Sequence, residues 1–402
     1  MAKASFTNPF RPGAGHMPPY LAGRHKETEE FLRLLRQDVV LENFVLTGLR
    51  GVGKTVLQDT FKPLAIRHRW LWVGTDLSES TSISEARIGV RLITDLAPLT
   101  SGIVLKHDLP AMGFHRAPKQ IKRHLDFEAM SDVFSQTAGL IADKLKAVLE
   151  FVWSCLRQKR VKGVIFAYDE AQNLSDHAEG KEYPLSLMLD VFQSLQKKSI
   201  PFMLVLVGLP TLFPKLVEAR TFAERMFHVV FLRRLSAADS RDAILQPIKD
   251  ARCPVKLSEK SVKLIVEVSG GYPYFLQFIC REVYDAFLQK VDTGETASVP
   301  IQEITRKLDN NFFAGRWARA TDRQRELLTV IAGLDHCDEE FTVQEVVERA
   351  RRELTKPFSP SHVNQMLSAL SNAGLVYKNR HGRYSFAVPL LGRFIQRQLE
   401  AR

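Results

Sequence analysis

A glycine-rich turn between an apolar strand and a helix constrains this chain more than any other feature of its sequence. The segment Gly48–Thr55 reads GLRGVGKT and fits the pattern G-x-x-x-x-G-K-[ST]. The apolar run Asn43–Thr47 precedes it, and a helical pattern begins near Lys54. Glycines allow positive φ, so successive backbone N–H groups can turn toward one anion at the helix N-terminus. The alternative is a glycine turn before an ordinary helix.

The residues expected to contact a nucleotide in this loop are Gly48, Leu49, Arg50, Gly51, Val52, Gly53, Lys54, Thr55 and Val56. The ammonium group of Lys54 is expected to reach the β- and γ-phosphates as a catalytic group, and the hydroxyl of Thr55 to hold Mg²⁺. ATP and Mg²⁺ are therefore the predicted cofactors.

A pair of acids follows a second apolar run, Val164–Tyr168. Asp169 is predicted to bind Mg²⁺, and Glu170 to polarise the attacking water as general base. The alternative is a helix N-cap pair after a strand. With the phosphate-binding pattern elsewhere in the chain, the functional interpretation is favoured, because a chain that only bound nucleotide would not need a base here.

Apolar runs alternate with helical patterns in the first 235 residues, which predicts an α/β fold with a parallel sheet. The expected strands include Trp70–Val73 and Phe202–Val207, and a long helix is expected from Glu128 to Gln158. The predicted division is a core of residues 1–235, with an arm at 1–20 and a less regular basic insertion at 78–127. A helical lid with its connecting helix follows at 236–318, and a separate unit at 319–402.

The charge balance favours a polyanionic partner. Lys and Arg number 56 and Asp and Glu 45, a formal net charge of +11, which composition alone does not assign to nucleic acid rather than anionic membrane. No apolar run approaches the ~18 residues of a membrane span, and the N-terminus lacks a secretory apolar region, so a cytoplasmic protein is expected. The four cysteines form no C-x-x-C pair, which argues against a disulfide scaffold or zinc site.

Four stretches together resemble the AAA+ ATPases, above all the branch of origin-recognition initiators and transposition helpers. They are Pro19–Arg24, similar to the "GR" entry segment; the loop Gly48–Thr55; Asp169–Leu174, similar to DEAQNL; and Gly208–Pro210, a G-x-P at the sensor-1 position. The likeness covers about residues 17–290. It implies Mg²⁺-dependent ATP hydrolysis, with Tyr20, Gly23 and Arg24 placed against the adenine.

Two departures from that pattern bear on the expected rate. Only Thr211 is polar near sensor 1, and the lid carries Gly270-Gly271-Tyr272-Pro273-Tyr274 where a sensor-2 Arg is usual. This G-x-P is similar to the lid motif of STAND and archaeal-type ATPases, which implies that Tyr272 and Pro273 lie near the nucleotide. Hydrolysis is therefore expected to be slow or stimulated by a partner.

The resemblance also implies an arginine that completes the site of a neighbouring subunit, and so a homo-oligomer. Arg225 stands between a helix and a short strand, where related families keep this arginine, and Arg220 is the second candidate. A solvated Arg at a helix end is the alternative.

The last part of the chain resembles a winged helix-turn-helix. Its expected recognition helix is Ser361–Ala373, and its wing tip is Asn379–Arg383. Lys378, Arg380 and Arg383 are predicted to contact DNA phosphates without reading bases. A winged helix used for protein contacts is the alternative, and the basic stretch Lys106–His124 is a second candidate for DNA contact, for partner docking or for a solvated loop.

Two functions fit these features. The first is an ATPase whose nucleotide state controls assembly on double-stranded DNA or recruitment of an unidentified protein partner. The second is a STAND-like switch for signalling or defence against phage, which the Gly-Tyr-Pro lid favours. DEAQNL and the basic C-terminus, with seven basic residues from Lys356 onward against the single acid Glu400, favour the first.

Overall fold

The structure, a computed structural model, describes residues 7–108, 120–253, 256–293, 299–380 and 382–400. The chain forms two compact units. The sheet unit comprises His25–Thr47 and Leu57–Phe231, and the helical unit comprises the residues up to Arg24, Gly48–Val56 and the residues from Leu232 onward. The phosphate-loop segment therefore belongs to the helical unit, although the strand before it belongs to the sheet unit.

The elements through the end of the sheet unit are, in chain order, α1 (His25–Leu35), β1 (Asn43–Thr47), α2 (Lys54–Arg67), β2 (Trp70–Val73), α3 (Glu85–Thr100), β3 (Val104–Asp108), β4 (Gln120–His124), α4 (Phe127–Gln136), α5 (Ile141–Leu156), β5 (Gly163–Tyr168), α6 (Pro184–Lys197), β6 (Phe202–Gly208), α7 (Leu212–Ala219), α8 (Ala223–Met226) and β7 (Phe227–Phe231).

A five-stranded parallel sheet in the order β2-β5-β6-β1-β7 forms the centre of the sheet unit. Every residue of β1, β5 and β6 is buried, as expected for central strands of a parallel sheet covered on both faces. The predicted α/β fold with a parallel sheet is confirmed. Thr47 and Tyr168, which end β1 and β5, lie toward the same edge because parallel strands share their direction.

The region 78–127 is more regular than its sequence suggested. It contains α3, whose N-cap is Ser84 and whose buried face includes Ile88, Leu92 and Leu96. Strands β3 and β4 pair antiparallel after it. Residues 109–119 of the basic insertion lie outside the described residues.

The single long helix expected from Glu128 to Gln158 was wrong. Two helices, α4 and α5, occupy this region, and Gly139 between them has φ of +112°, which an α-helix cannot contain. The apolar periodicity continues across the break because both helices pack on the sheet-unit core, so it conceals the break in the sequence.

The helical unit continues with α9 (Ala237–Asp250), α10 (Glu259–Ser269), α11 (Pro273–Thr293), α12 (Ile301–Leu308), a π-helical segment (Asp309–Ala314), α13 (Gly315–Trp317), α14 (Asp322–Ala332), β8 (Phe341–Thr342), α15 (Val343–Glu353), α16 (Pro360–Asn372), β9 (Val376–Arg380), β10 (Arg383–Phe386) and α17 (Leu391–Glu400). Strands β8, β10 and β9 form a small antiparallel sheet in that order. Within the part of the chain that the structure describes, no helix is both long and apolar enough for a membrane crossing.

Local signals in the sequence account for several helix starts in this unit. The hydroxyl of Ser236 accepts a hydrogen bond from the backbone N–H of Asp239 at the start of α9. Ser359 does the same for His362 at the start of α16, where Pro360 occupies the first helical position. Gly374 follows α16 with φ of +69°, as a helix-ending glycine often does.

Asn43, the first residue of β1, links three elements of the sheet unit. Its side chain is fully buried. Its carbonyl oxygen accepts hydrogen bonds from the backbone N–H of Leu204 and the amide of Gln196, both at 2.8 Å, and its amide donates to Met226 O at 3.2 Å. One side chain thereby satisfies backbone groups of β6 and of the end of α8.

Asn43→Ala should lower the free energy of unfolding by about 1–3 kcal/mol, because it leaves the backbone N–H of Leu204 and the carbonyl of Met226 buried without this partner. Chemical denaturation followed by fluorescence measures the change. Asn372→Ala, at an exposed position, is the matched control and should stay within about 0.5 kcal/mol. Equal stability of the two variants would contradict a structural role for Asn43.

Candidate nucleotide site

The loop Gly48–Val56 has the backbone conformation that anion binding requires. Gly51 and Gly53 have φ of +78° and +92°, a region that residues with a Cβ rarely adopt. At Gly48 the restriction is one of space, because a Cβ would lie 2.6 Å from the carbonyl oxygen of Leu232. All three glycines of the loop, the two of the pattern and Gly51, are therefore required by local geometry.

Lys54 begins α2, directly after the loop. Its Nζ donates to the carbonyl oxygens of Gly48 and Leu49, each at 3.0 Å, so the ammonium group lies against the loop. A flexible cation beside backbone N–H groups at a helix N-terminus is a donor set suited to phosphate. Thr55, on the first turn of α2, is exposed.

Arg24 supports this loop through its carbonyl groups. The side chain is buried, and Nη2 donates to the carbonyl oxygens of Val52 at 3.0 Å and Arg233 at 2.9 Å. The guanidinium thus lies against the loop backbone, and the contact with adenine that the family resemblance implied stays a prediction. Its neighbour Gly23 has φ of +63°, and a Cβ there would lie 2.5 Å from Asp239 Cγ. Tyr20 is partly buried and packs against the helical-unit core.

The lid motif meets the loop through a residue that sequence reasoning did not select. The backbone N–H of Tyr274 donates to the carbonyl oxygen of Gly51 at 3.1 Å. The expected residues Tyr272 and Pro273 directly precede it, and Pro273 begins α11. Gly271 is held by a hydrogen bond from Leu235 N to its carbonyl at 2.8 Å. The Gly-Tyr-Pro motif thus anchors the start of a helix that contacts the loop.

The predicted acids lie at the carboxyl end of β5. Asp169 is buried, and its Oδ1 accepts a hydrogen bond from the backbone N–H of Glu170 at 2.7 Å. Glu170 is exposed and has φ of +51°, in the left-handed region that a non-glycine residue enters at an energetic cost. Strain of this kind concentrates at functional sites. Here the left-handed backbone conformation of Glu170 sets the direction in which its side chain leaves the backbone.

Gln172 holds the Glu170 carboxylate in place. Its amide nitrogen donates to Glu170 Oε2, and its Oε1 accepts from the backbone N–H of Leu209 at 3.0 Å. A Cβ at Gly208 would lie 2.6 Å from that Oε1, so the glycine of the G-x-P stretch makes room for the glutamine. Sequence reasoning missed this role. The motif DEAQNL includes Gln172, but the sequence alone does not show which groups its side chain binds.

Other acids in the sheet unit lie near Asp169. Asp76 forms a parallel bridge with Asp169, and partial desolvation together with the charge of Asp169 raises the pKa of both Asp76 and Asp59. Among the described residues no three ligand-type side chains converge on a metal position. Mg²⁺ binds through one or two protein oxygens together with waters and phosphates, so a single carboxylate in an acidic neighbourhood fits its chemistry.

The structure distinguishes the two candidate arginines. Arg220 forms two hydrogen bonds with Asp190, of 2.8 Å and 2.7 Å, which raise the pKa of its guanidinium. Arg225 lies on the four-residue helix α8 and is exposed. Among the described residues, its side chain has no hydrogen bond or ion pair. Arg225 is therefore the better placed of the two to reach another molecule.

The three predicted DNA-contacting residues lie on or beside one hairpin. Lys378 and Arg380 belong to β9, and Arg383, which begins β10, pairs with Arg380. Lys378 is exposed and lines a cavity of about 410 Å³ with Gly382 and Asn364 of α16. His381, at the predicted wing tip, lies outside the described residues.

Comparison with solved structures identifies the fold. A Walker-type ATPase of Pyrococcus abyssi superposes with a TM-score of 0.58 at 15% identity, over 94% of this chain and 96% of that one. The ORC2 protein of Aeropyrum pernix in its ADP form gives 0.54 at 14% identity, over 96% of each chain. The same protein in its ADPNP–ADP complexes gives 0.52 at 14% identity, over 96% of this chain and 98% of the other.

Sequence comparison adds less. A family model described as a domain of unknown function, DUF8462, matches residues 310–395. The sequence has no match among curated proteins. The structural likeness extends over nearly the whole chain, and the glycine-rich loop lies within it. The chain therefore shares its fold with the Walker-type ATPase of P. abyssi and the ORC2 protein of A. pernix.

Proposed function

We propose that this protein binds and hydrolyses ATP, and that its nucleotide state controls assembly on DNA or recruitment of a protein partner. The observation that carries the first part is the loop geometry. Two glycines at positive φ, a lysine whose ammonium lies against the loop and a helix N-terminus together form a phosphate-binding arrangement.

In this proposal the loop residues Gly48–Val56 bind the phosphates through backbone N–H groups, and Lys54 neutralises the β- and γ-phosphates. The hydroxyl of Thr55 and the carboxylate of Asp169 hold Mg²⁺, which supplies charge stabilisation to the transferring phosphoryl group when bound. Glu170 accepts the proton of the attacking water, and Gln172 keeps its carboxylate oriented. Tyr20, Gly23 and Arg24 lie against the adenine, and Tyr272 and Pro273 lie near the nucleotide.

The DNA part of the proposal rests on the C-terminal elements. From α14 to β10 the order is helix, strand, helix, helix, strand, strand, which is that of a winged helix. Helix α16 occupies the recognition position, and Lys378, Arg380 and Arg383 supply phosphate contacts on the hairpin after it. The likeness to the A. pernix and P. abyssi proteins supports the fold alone.

The alternative is a STAND-like switch that acts through protein partners. The hydrogen bond from Tyr274 to Gly51 favours this alternative. The bond connects the Gly-Tyr-Pro lid directly to the loop, and that motif contains no arginine. In this alternative nucleotide stabilises one lid position, and duplex DNA changes neither the hydrolysis rate nor the particle size.

Lys54→Ala should lower ATP affinity by at least roughly tenfold, about 1.4 kcal/mol, because the phosphates lose their ammonium partner. Glu170→Gln keeps the size and hydrogen bonding of the side chain but removes the base, so binding should persist while turnover is lost. Calorimetry and a phosphate-release assay measure the two effects. Lys62→Ala, exposed on the same helix, and Glu179→Gln, also exposed, are the matched controls. Wild-type affinity in Lys54→Ala would refute the loop assignment, and wild-type turnover in Glu170→Gln would make that residue structural.

Arg225→Ala should bind ATP normally and hydrolyse it poorly if this arginine completes a neighbouring subunit's site. Mixing it with Lys54→Ala protein should partly restore turnover, since the two subunits then contribute the intact halves of one site. Arg220→Ala is the comparison, and it should instead reduce stability by breaking the pair with Asp190. Wild-type turnover by Arg225→Ala alone would contradict the proposal.

Replacing Lys378, Arg380 and Arg383 together with Ala should weaken binding to two unrelated duplexes equally. The slope of log affinity against log salt should flatten by up to about 0.9 for each DNA phosphate that the variant no longer neutralises, and ATP affinity should not change. Fluorescence anisotropy at several salt concentrations measures the slope. Undiminished affinity at every salt would remove the hairpin from the DNA contact. Wild-type protein that binds no duplex, with ATPase rate and particle size indifferent to DNA, would favour the STAND-like alternative.

A further inference from the structure

Three arginines of the helical unit, Arg50, Arg316 and Arg319, lie close enough together for their charges to interact. The function proposed above uses the backbone N–H of Arg50 but none of the three side chains. Arg50 is on the loop itself. Arg316 and Arg319 come from the connector between α12 and α14. The connector contains the π-helical segment Asp309–Ala314, an irregularity that is frequent at functional sites.

The position of Arg316 is fixed by Phe312, four residues earlier. The guanidinium carbon lies 4.3 Å from the centre of the Phe312 ring, and Nη1 donates to the Phe312 carbonyl oxygen. The Phe312 ring in turn packs on the ring of Tyr274, with 5.3 Å between centroids. Because Tyr274 donates to Gly51, a continuous series of contacts joins Arg316 to the loop.

Arg50 is exposed and precedes Gly51 in the loop. It follows Leu49, whose carbonyl oxygen accepts a hydrogen bond from Lys54 Nζ at 3.0 Å. Arg50 therefore follows a residue that contacts the Lys54 ammonium, and the lysine of this pattern typically serves the β- and γ-phosphates. Its guanidinium also lies near the end of α16, because a Cβ on Gly374 would be 3.8 Å from both of its terminal nitrogens.

The cluster gathers positive charge that no described acid balances in an ion pair. Partial burial lowers the pKa of Arg316, and the charges of Arg50 and Arg319 lower it further. Among the described residues, no carboxylate forms an ion pair with any of these three side chains. Bringing guanidinium groups together without acids costs free energy, and a phosphate that binds between them offsets that cost.

We propose that Arg50, Arg316 and Arg319 bind the terminal phosphate of the nucleoside triphosphate held by the loop. The inference rests on the proposed nucleotide binding and adds a site that distinguishes triphosphate from diphosphate. Because Arg316 and Arg319 belong to the connector that leads into the C-terminal elements, the terminal phosphate would be contacted by the segment linking the lid to those elements.

The test compares ATP and ADP binding by calorimetry in the full-length protein. Arg316→Gln, Arg319→Gln and Arg50→Gln remove the charge and retain a polar side chain. Each should reduce the ratio of ATP to ADP affinity, and Arg50→Gln combined with Arg319→Gln should reduce it by about tenfold, while ADP affinity stays within about twofold. Arg306→Gln, at an exposed position of α12, is the matched control and should leave the ratio unchanged.

A second titration uses a 20-base-pair duplex without nucleotide, because DNA backbone phosphate presents the same chemistry. If the variants bind the duplex more weakly while the ratio of ATP to ADP affinity is unchanged, the proposal is overturned and the cluster is assigned to nucleic acid. An unchanged ratio and unchanged duplex affinity would also overturn it. If Arg316→Gln does not fold, the variants at the exposed Arg50 and Arg319 decide the outcome. Wild-type protein that binds neither nucleotide would refute the proposed function itself, which is a different result.

Discussion

The conformation of the phosphate loop depends on what its carbonyl groups bind. The buried guanidinium of Arg24 donates a hydrogen bond to the carbonyl oxygen of Val52, and the backbone N–H of Tyr274 donates to the carbonyl oxygen of Gly51. The ammonium group of Lys54 donates to the carbonyl oxygens of Gly48 and Leu49. With these oxygens engaged by donors of the protein, the loop can turn its N–H groups toward an anion. The proposed phosphate binding thus depends in part on Arg24 and Tyr274, which support the loop only through its carbonyl groups.

The sheet unit and the helical unit each gather one kind of charge. In the sheet unit, Asp76 and Asp169 form an acidic neighbourhood at the end of β5, which suits a cation. In the helical unit, Arg50 and Arg316 accumulate beside the loop, which suits an anion. A nucleotide with its divalent ion contains both kinds of charge.

The sequence predicted the parts of this protein that short-range patterns determine. Strand segments such as Phe44–Leu46 and Val164–Tyr168 are apolar because they are buried on both faces, and the loop glycines are needed for backbone geometry, so both were evident from the sequence. The break at Gly139 was hidden by apolar periodicity that continues on both sides. The roles of Asn43, Gln172 and Tyr274 depend on partners far away in the chain, as does the contact of Arg24 with Arg233. No local pattern contains that information.

The division of the chain between the units has a consequence for synthesis. The sheet is complete in sequence once Phe231 has been made, but the loop at residues 48–56 belongs to the other unit. The contacts that support the loop require residues made later. The loop contacts Leu232, it is linked to Arg233 through Arg24, and it forms a hydrogen bond with Tyr274. Domains fold as their residues leave the ribosome, from the N-terminus onward. A nascent chain would therefore carry a folded sheet while the loop Gly48–Val56 still lacked these contacts, and under the proposed function nucleotide binding would begin only once the second half had folded.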